Sequence, residues 1–229
     1  MMKPVWLIML SCVSSAAWAG RPFFTDDASL TDPHSCQLET WYQGTKESDM
    51  LSVMPACNPT GNFEITAGYT QLSHQGGNGE EHGYVLQGKT VLRSMEIDHQ
   101  YGIALAFGVA RSDHRQNGGE YAYVPISYAS PRQAWNSNVD IGFIREEASG
   151  KNRLTWGAGT SYNINSRLMV FGELFGHLAI NPKLHTGISI SVIPDLVQMD
   201  LTYGKDLELN KDANSYTVGF SFQLPKPSK

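Results

Sequence analysis

The chain lacks any apolar run approaching the roughly 20 residues that a membrane-spanning helix needs, which excludes a helical membrane protein. It is poor in charge: Asp, Glu, Lys and Arg make up 17%, against roughly 25% in soluble domains. It also lacks a cationic surplus, with 17 Lys and Arg against 22 Asp and Glu and a formal net charge of −5, so nucleic acid is excluded as a partner. Only three cysteines occur, and no Cys-x-x-Cys pair marks a zinc site. There is no Gly-x-Ser-x-Gly elbow and no metalloprotease helix, so no catalytic set, metal or cofactor is assigned and the chain is not expected to be an enzyme. What the sequence does hold is 22 Gly, 10 Tyr, 9 Phe and 5 Trp. That composition argues against disorder and favours a glycine- and aromatic-rich β protein.

The first nineteen residues, MMKPVWLIMLSCVSSAAWA, have the three parts of a secretory signal. Lys3 is the basic end, Val5 to Leu10 the apolar stretch, and Ala17-Trp18-Ala19 the small-residue cleavage site. The mature chain is expected to begin at Gly20. A lipoprotein signal ending at Cys12 fits less well, because Met9 stands where leucine is usual. Export leaves Cys36 and Cys57 as an even pair in an oxidising compartment.

From residue 36 onward the chain alternates with the period of a strand. Phe63, Ile65, Ala67 and Tyr69 share one face, and Asn62, Glu64, Thr66, Gly68 and Thr70 the other. The pattern predicts twelve strands, near 36–43, 50–57, 62–72, 83–92, 101–111, 120–129, 137–146, 152–162, 167–176, 183–193, 196–205 and 214–224. Polar stretches such as 74–82, 112–119, 147–151 and 205–214 follow odd-numbered strands, and tight turns at 58–61, 163–166 and 193–195 follow several even ones, with 95–100 and 130–136 as longer exceptions. Long loops at one end and short turns at the other are the habit of outer-membrane barrels. The non-apolar face is Gly, Ser, Thr and Ala, which suits a narrow lumen better than a solvated exterior. Tyr69, Tyr101, Tyr128, Trp156, Tyr162, Tyr203 and Tyr216 gather near strand ends like interfacial girdles. The fold expected is therefore all-β: a single antiparallel transmembrane β-barrel of about twelve strands in the outer membrane of a Gram-negative bacterium, with lipid around it. A soluble β-sandwich or lipocalin-like barrel is the competing fold. The predicted organisation is a signal peptide (1–19), an N-terminal periplasmic or plug segment (20–35), the barrel (36–224) and a C-terminal tail (225–229).

If Gln43 opposes Met50 in the first hairpin, Cys36 opposes Cys57 at its base, so a cross-strand disulfide is expected there. Pro125 and Pro194 are expected to interrupt the lipid face.

Several phrases in order along the chain carry a resemblance: RPFFTDDA (21–28), CQLETWY (36–42), PAC (55–57), AYVPISYAS (122–130), NVDIGF (138–143), RLTWGAGTSYNI (153–164), FGELFG (171–176) and PDLVQMDLTYG (194–204). Together they resemble the proteobacterial outer-membrane proteins named for the phenol-degradation MetA pathway. The resemblance implies a barrel related to those that import hydrophobic or aromatic compounds. It carries no binding residues over.

The chemistry-bearing candidates are few. Glu64, Lys89, Asp140, Glu173 and Asp200 fall on the presumed lumen face, since a strand charge must avoid lipid. Glu173 shares its face with Met169, Phe171 and Phe175, which gives either an apolar path beside a carboxylate or a wall ion pair. In the N-terminal segment, Asp26 and Asp27 would meet Lys89 or Arg111 if the segment plugs the lumen; otherwise it straps the barrel base. His74 and His82 bracket Glu80 and Glu81 without metal-ligand spacing. Ser73–His74 and His185–Ser189 are poorly placed for a nucleophile and base, and His114 falls in a polar loop. The expected role is passive or facilitated passage of small solutes, aromatic or hydrophobic ones included, with Glu173 and Asp200 disfavouring anions. The alternatives are a filled structural or surface-interaction barrel and a lipid- or peptide-modifying enzyme.

Overall fold

The computed structural model describes residues 23–75, 79–95, 100–113, 118–131, 134–178, 181–207 and 214–224. The predicted signal peptide, His114 and the C-terminal tail lie outside the described residues. Twelve antiparallel strands form one closed barrel in which each strand pairs with its sequence neighbours and β1 closes on β12. They are β1 (Ser35–Gly44), β2 (Ser48–Asn58), β3 (Phe63–His74), β4 (Glu80–Arg93), β5 (Tyr101–Ser112), β6 (Gly119–Ala129), β7 (Trp135–Glu146), β8 (Asn152–Asn163), β9 (Leu168–His177), β10 (Lys183–Ile193), β11 (Val197–Asp206) and β12 (Asn214–Gln223). Closure leaves no edge, so every strand finds hydrogen-bond partners on both sides. Ser35 and Leu224 meet at one end, where the Ser35 hydroxyl donates to the Leu224 carbonyl at 2.7 Å. That end is called the base and the opposite end the mouth.

The period-two pattern sorts side chains as hydrophobicity requires. Tyr84, Leu86, Phe107, Ile141, Phe143, Leu154 and Val218 are exposed on the outside. Gln37, Ser52, Ala104, Ala106, Ser127, Ser161 and Thr217 are buried inside. A polar interior and an apolar exterior invert the soluble-barrel arrangement and match a lipid surround. Rings pair across strands near both rims: Tyr101 with Tyr128 and Trp135 with Tyr162 at the base, Tyr69 with Tyr84 and Tyr203 with Tyr216 toward the mouth.

The first hairpin has the expected register, Gln43 opposite Met50 and Cys36 opposite Cys57, and the two cysteines form a disulfide. Two expectations need correction. The polar stretches after odd strands are strand at their edges: His74 ends β3, Glu80–His82 begin β4, Ser112 ends β5, Gly119 begins β6, Lys205 and Asp206 end β11 and Asn214 begins β12. The alternating side chains simply become polar as the sheet leaves the apolar zone, so mouth loops and base turns differ little in length. The prolines do not interrupt the lipid face either. Pro125 is fully buried within β6, and the pairing of β5 with β6 skips from Ile103–Ile126 to Ala106–Tyr123, which accommodates the missing N–H. Pro194 lies in the turn between β10 and β11.

Candidate functional site

The segment preceding β1 runs inside the barrel rather than beneath it. Starting at the base, the backbone N–H of Thr31 donates to Glu64 Oε2 on β3 at 2.6 Å, and the Asn58 amide holds the Thr31 carbonyl at 2.7 Å. Ala28 N–H donates to Ser127 Oγ on β6 at 2.8 Å, and Asp26 N–H to Asp140 Oδ2 on β7 at 2.6 Å. Thr25 and Phe24 N–H groups reach the two oxygens of Glu173 on β9 at 2.7 and 2.8 Å. The segment thus crosses the lumen from β3 to β9. An extended peptide with no sheet partner must place its N–H groups elsewhere, and wall carboxylates are strong acceptors for them.

Side chains fix its height. Lys89, 2% exposed, donates to Asp26 at 2.8 Å and lies 3.7 Å from Asp27. Tyr123 O–H donates to the other Asp26 oxygen at 2.8 Å. Phe23 packs on Phe171 and Phe24 stacks on Phe175, both with ring centroids 4.7 Å apart. Glycine on the wall makes the room: a Cβ at Gly157 would stand 2.7 Å from Thr25 Oγ1, and one at Gly159 3.2 Å from the Phe23 ring.

Asp27 is the segment's least comfortable charge. Burial pushes its carboxyl up to about 6, opposed by Lys89 and reinforced by Asp26.

Of the five lumen-face candidates, Glu64, Lys89, Glu173 and Asp200 are buried, at 5% exposure or less, and Asp140 is half-buried. Glu64, Asp140 and Glu173 hold the segment's backbone and Lys89 holds its aspartates. Asp200 opposes Ser189 across the β10–β11 ladder. Glu173 also accepts from His185 Nδ1 at 2.7 Å, so its neighbours Phe171 and Phe175 pack the segment instead of lining a free path. Arg111 does not meet Asp26 or Asp27; it pairs with Glu120 at 2.5 Å near the mouth. His82 bonds the Tyr69 hydroxyl at 2.8 Å, while Glu81, next to it in sequence, points to the opposite face and is buried. Sequence reasoning missed His185 as a partner of Glu173 and missed the acceptor role of Ser127. Both are buried on the lumen face, but nothing local linked them to residues 23–31.

Above the segment, on the mouth side, a cavity of about 270 Å³ remains, lined in part by Phe24, Gln43, Met50, Phe175, Lys183, His185 and Ser215.

A closed antiparallel barrel with an apolar exterior and a polar, partly occupied lumen has the fold of the outer-membrane channel barrels. The chain belongs to the family described as uncharacterised conserved protein UCP029691, which matches residues 7–224. Among solved structures it is similar to a KdgM porin in complex with disordered oligogalacturonate (TM-score 0.66, 9% identity, 82% of this chain and 99% of that one). It is also similar to the NanC porin (0.62, 13%, 82% and 100%). A third is the COG4313 outer membrane channel from Pseudomonas putida F1 (0.55, 9%, 86% and 98%). No curated protein matches the chain in sequence.

Proposed function

We propose that the protein is a constricted outer-membrane channel that passes small solutes, exported through a cleaved signal peptide, with its base in the periplasm and its mouth outside. The observation that carries this is the manner in which the lumen is closed. Residues 23–32 are joined to the wall by side-chain hydrogen bonds, one lysine and ring contacts, and by no strand pairing. Such a strap can shift without breaking the barrel, whereas a filled core could not. The porin likeness supports passage as a use of this fold, and the similar KdgM porin is seen with an oligogalacturonate.

The solute would be small and would carry a flat apolar face, because Phe24 is 49% exposed and borders the mouth-side cavity. Aromatic compounds, which the sequence resemblance implies, are one such class. A second reading, a filled barrel acting through its loops, is favoured by the occupied mid-lumen. Planar-bilayer conductance separates them. Wild-type protein should show small steps, and Gly157→Val, which removes the space Thr25 uses, should enlarge them. A barrel that is folded by gel mobility but silent in both forms would overturn the channel reading.

A further inference from the structure

The mouth-side cavity has a composition the channel reading alone does not explain. One of its walls is the ring of Phe24, half exposed, with Phe175 stacked on it at 4.7 Å and the His185 ring edge-on at 4.9 Å. Of the polar side chains around it, Thr45, Asn214 and Asp206, the last opposite Lys183 on β11, are engaged by the protein, and others are left idle. Among the described residues, Gln43, Lys183 and Ser215 make no side-chain hydrogen bond or ion pair. His185 is 2% exposed; its Nδ1 is bound by Glu173, which fixes the ring, and its Nε2 has no partner.

A bare aromatic solute would cover Phe24 and leave those polar groups unpaired, which is unfavourable in a partly desolvated site. A pyranose pairs both kinds of surface. The C–H face of its ring lies on the aromatic plane, and its hydroxyls, each a donor and an acceptor, reach the amide, the hydroxyl and the imidazole. The ammonium of Lys183, exposed and without an ion-pair partner among the described residues, calls for an anionic substituent on that ring. At about 270 Å³ the space is just below the roughly 300–1,000 Å³ of sites for drug-sized ligands, so it takes one sugar ring and not a chain. We propose that this cavity is a binding site for a hexuronate, a monosaccharide acid, with Phe24 of the strap as its stacking platform. The inference names the solute class of the channel and rests on that reading for its biological sense, though not for the binding itself.

The test is saturation-transfer NMR and titration calorimetry on the full-length protein in detergent, with glucuronate, glucose and benzoate at equal ionic strength. Glucuronate should bind at least several-fold more tightly than glucose, with transfer strongest at its ring C–H protons. Phe24→Ala should weaken glucuronate about tenfold or more, and Lys183→Gln should remove the preference over glucose. Both positions are exposed, and gel mobility confirms folding of each variant. Tighter binding of benzoate than of glucuronate would overturn the proposal in favour of an aromatic solute. Absence of glucuronate binding, or binding insensitive to Phe24→Ala, would overturn it outright. Conductance measured on the same preparation keeps the two ideas apart: glucuronate binding in a silent barrel sinks the channel and leaves the site, while conductance without binding does the reverse.

Discussion

Glu173 Oε1 lies 2.7 Å from His185 Nδ1, on the neighbouring strand, and the same carboxylate takes two successive backbone N–H groups from the strap. One side chain therefore anchors the strap and orients a cavity-lining imidazole. Glu173→Gln keeps the shape and leaves a single acceptor oxygen, so one strap N–H faces an amide N–H₂ instead. The strap should loosen, and single-channel conductance should rise by roughly half or more over wild type while strand content by circular dichroism stays unchanged. Unaltered conductance would show that Glu173 does not hold the strap.

Lys89 is the buried cation facing Asp26 and Asp27. Lys89→Met leaves those carboxylates uncompensated, and breaking a buried pair from one side costs about 3–5 kcal/mol. The strap can avoid much of that cost by leaving the lumen. The expected result is rapid proteolysis near residues 23–32 in a barrel that remains intact, read by mass spectrometry after limited digestion. Protection equal to wild type would refute it.

Strap seating should depend on pH through Asp27. Its seated carboxyl is raised to about 6, with burial the main cause, so the seated form binds more protons than the free form between about 4 and 6. Seating is then strongest below about 4, weakens as pH rises, and is weakest above 6. Proteolytic protection of the strap should fall between pH 5 and 7.5 in wild type. In Asp27→Asn the profile should be flatter; an identical slope in both would remove Asp27 from the explanation.

The disulfide closes a separation of 21 residues, for which loop-closure entropy suggests about 3 kcal/mol. Cys36→Ser should lower the urea midpoint of the refolded barrel and slow its assembly into vesicles. Stability equal to wild type would mean that the hairpin is as well fixed by the sheet alone.

The outer face supplies a control. Leu86 is 56% exposed mid-way along β4, and Leu86→Arg should cost roughly 2–4 kcal/mol in lipid without changing conductance. A lumen origin for that position would reverse the two effects.

Much of this architecture was legible because strand alternation is written locally. Phe63 to Thr70 announces a two-faced strand from the residues themselves, and Cys36 opposite Cys57 followed from one hairpin register. The limits were equally physical. Glu80–His82 reads as loop because polarity, not periodicity, dominates where a strand leaves the membrane. Asp26 and Asp27 could be matched to Lys89 by charge. The capture of Phe24 by Glu173, 149 residues away, could not be matched, because a backbone N–H has no residue-type signature. Arg111 was charge-matched too, and failed because its parity on β5 turns it outward.

The meeting of Ser35 with Leu224 ties the strap's root to the place where the last strand is zipped to the first. Whatever pulls on the strap pulls on that seam, and Cys36, one residue further, passes the load into β2 through a covalent bond. The seam between the first and last strands is thus spliced across three strands at the strap's root, so a load on the strap is shared by β12, β1 and β2 instead of falling on one ladder.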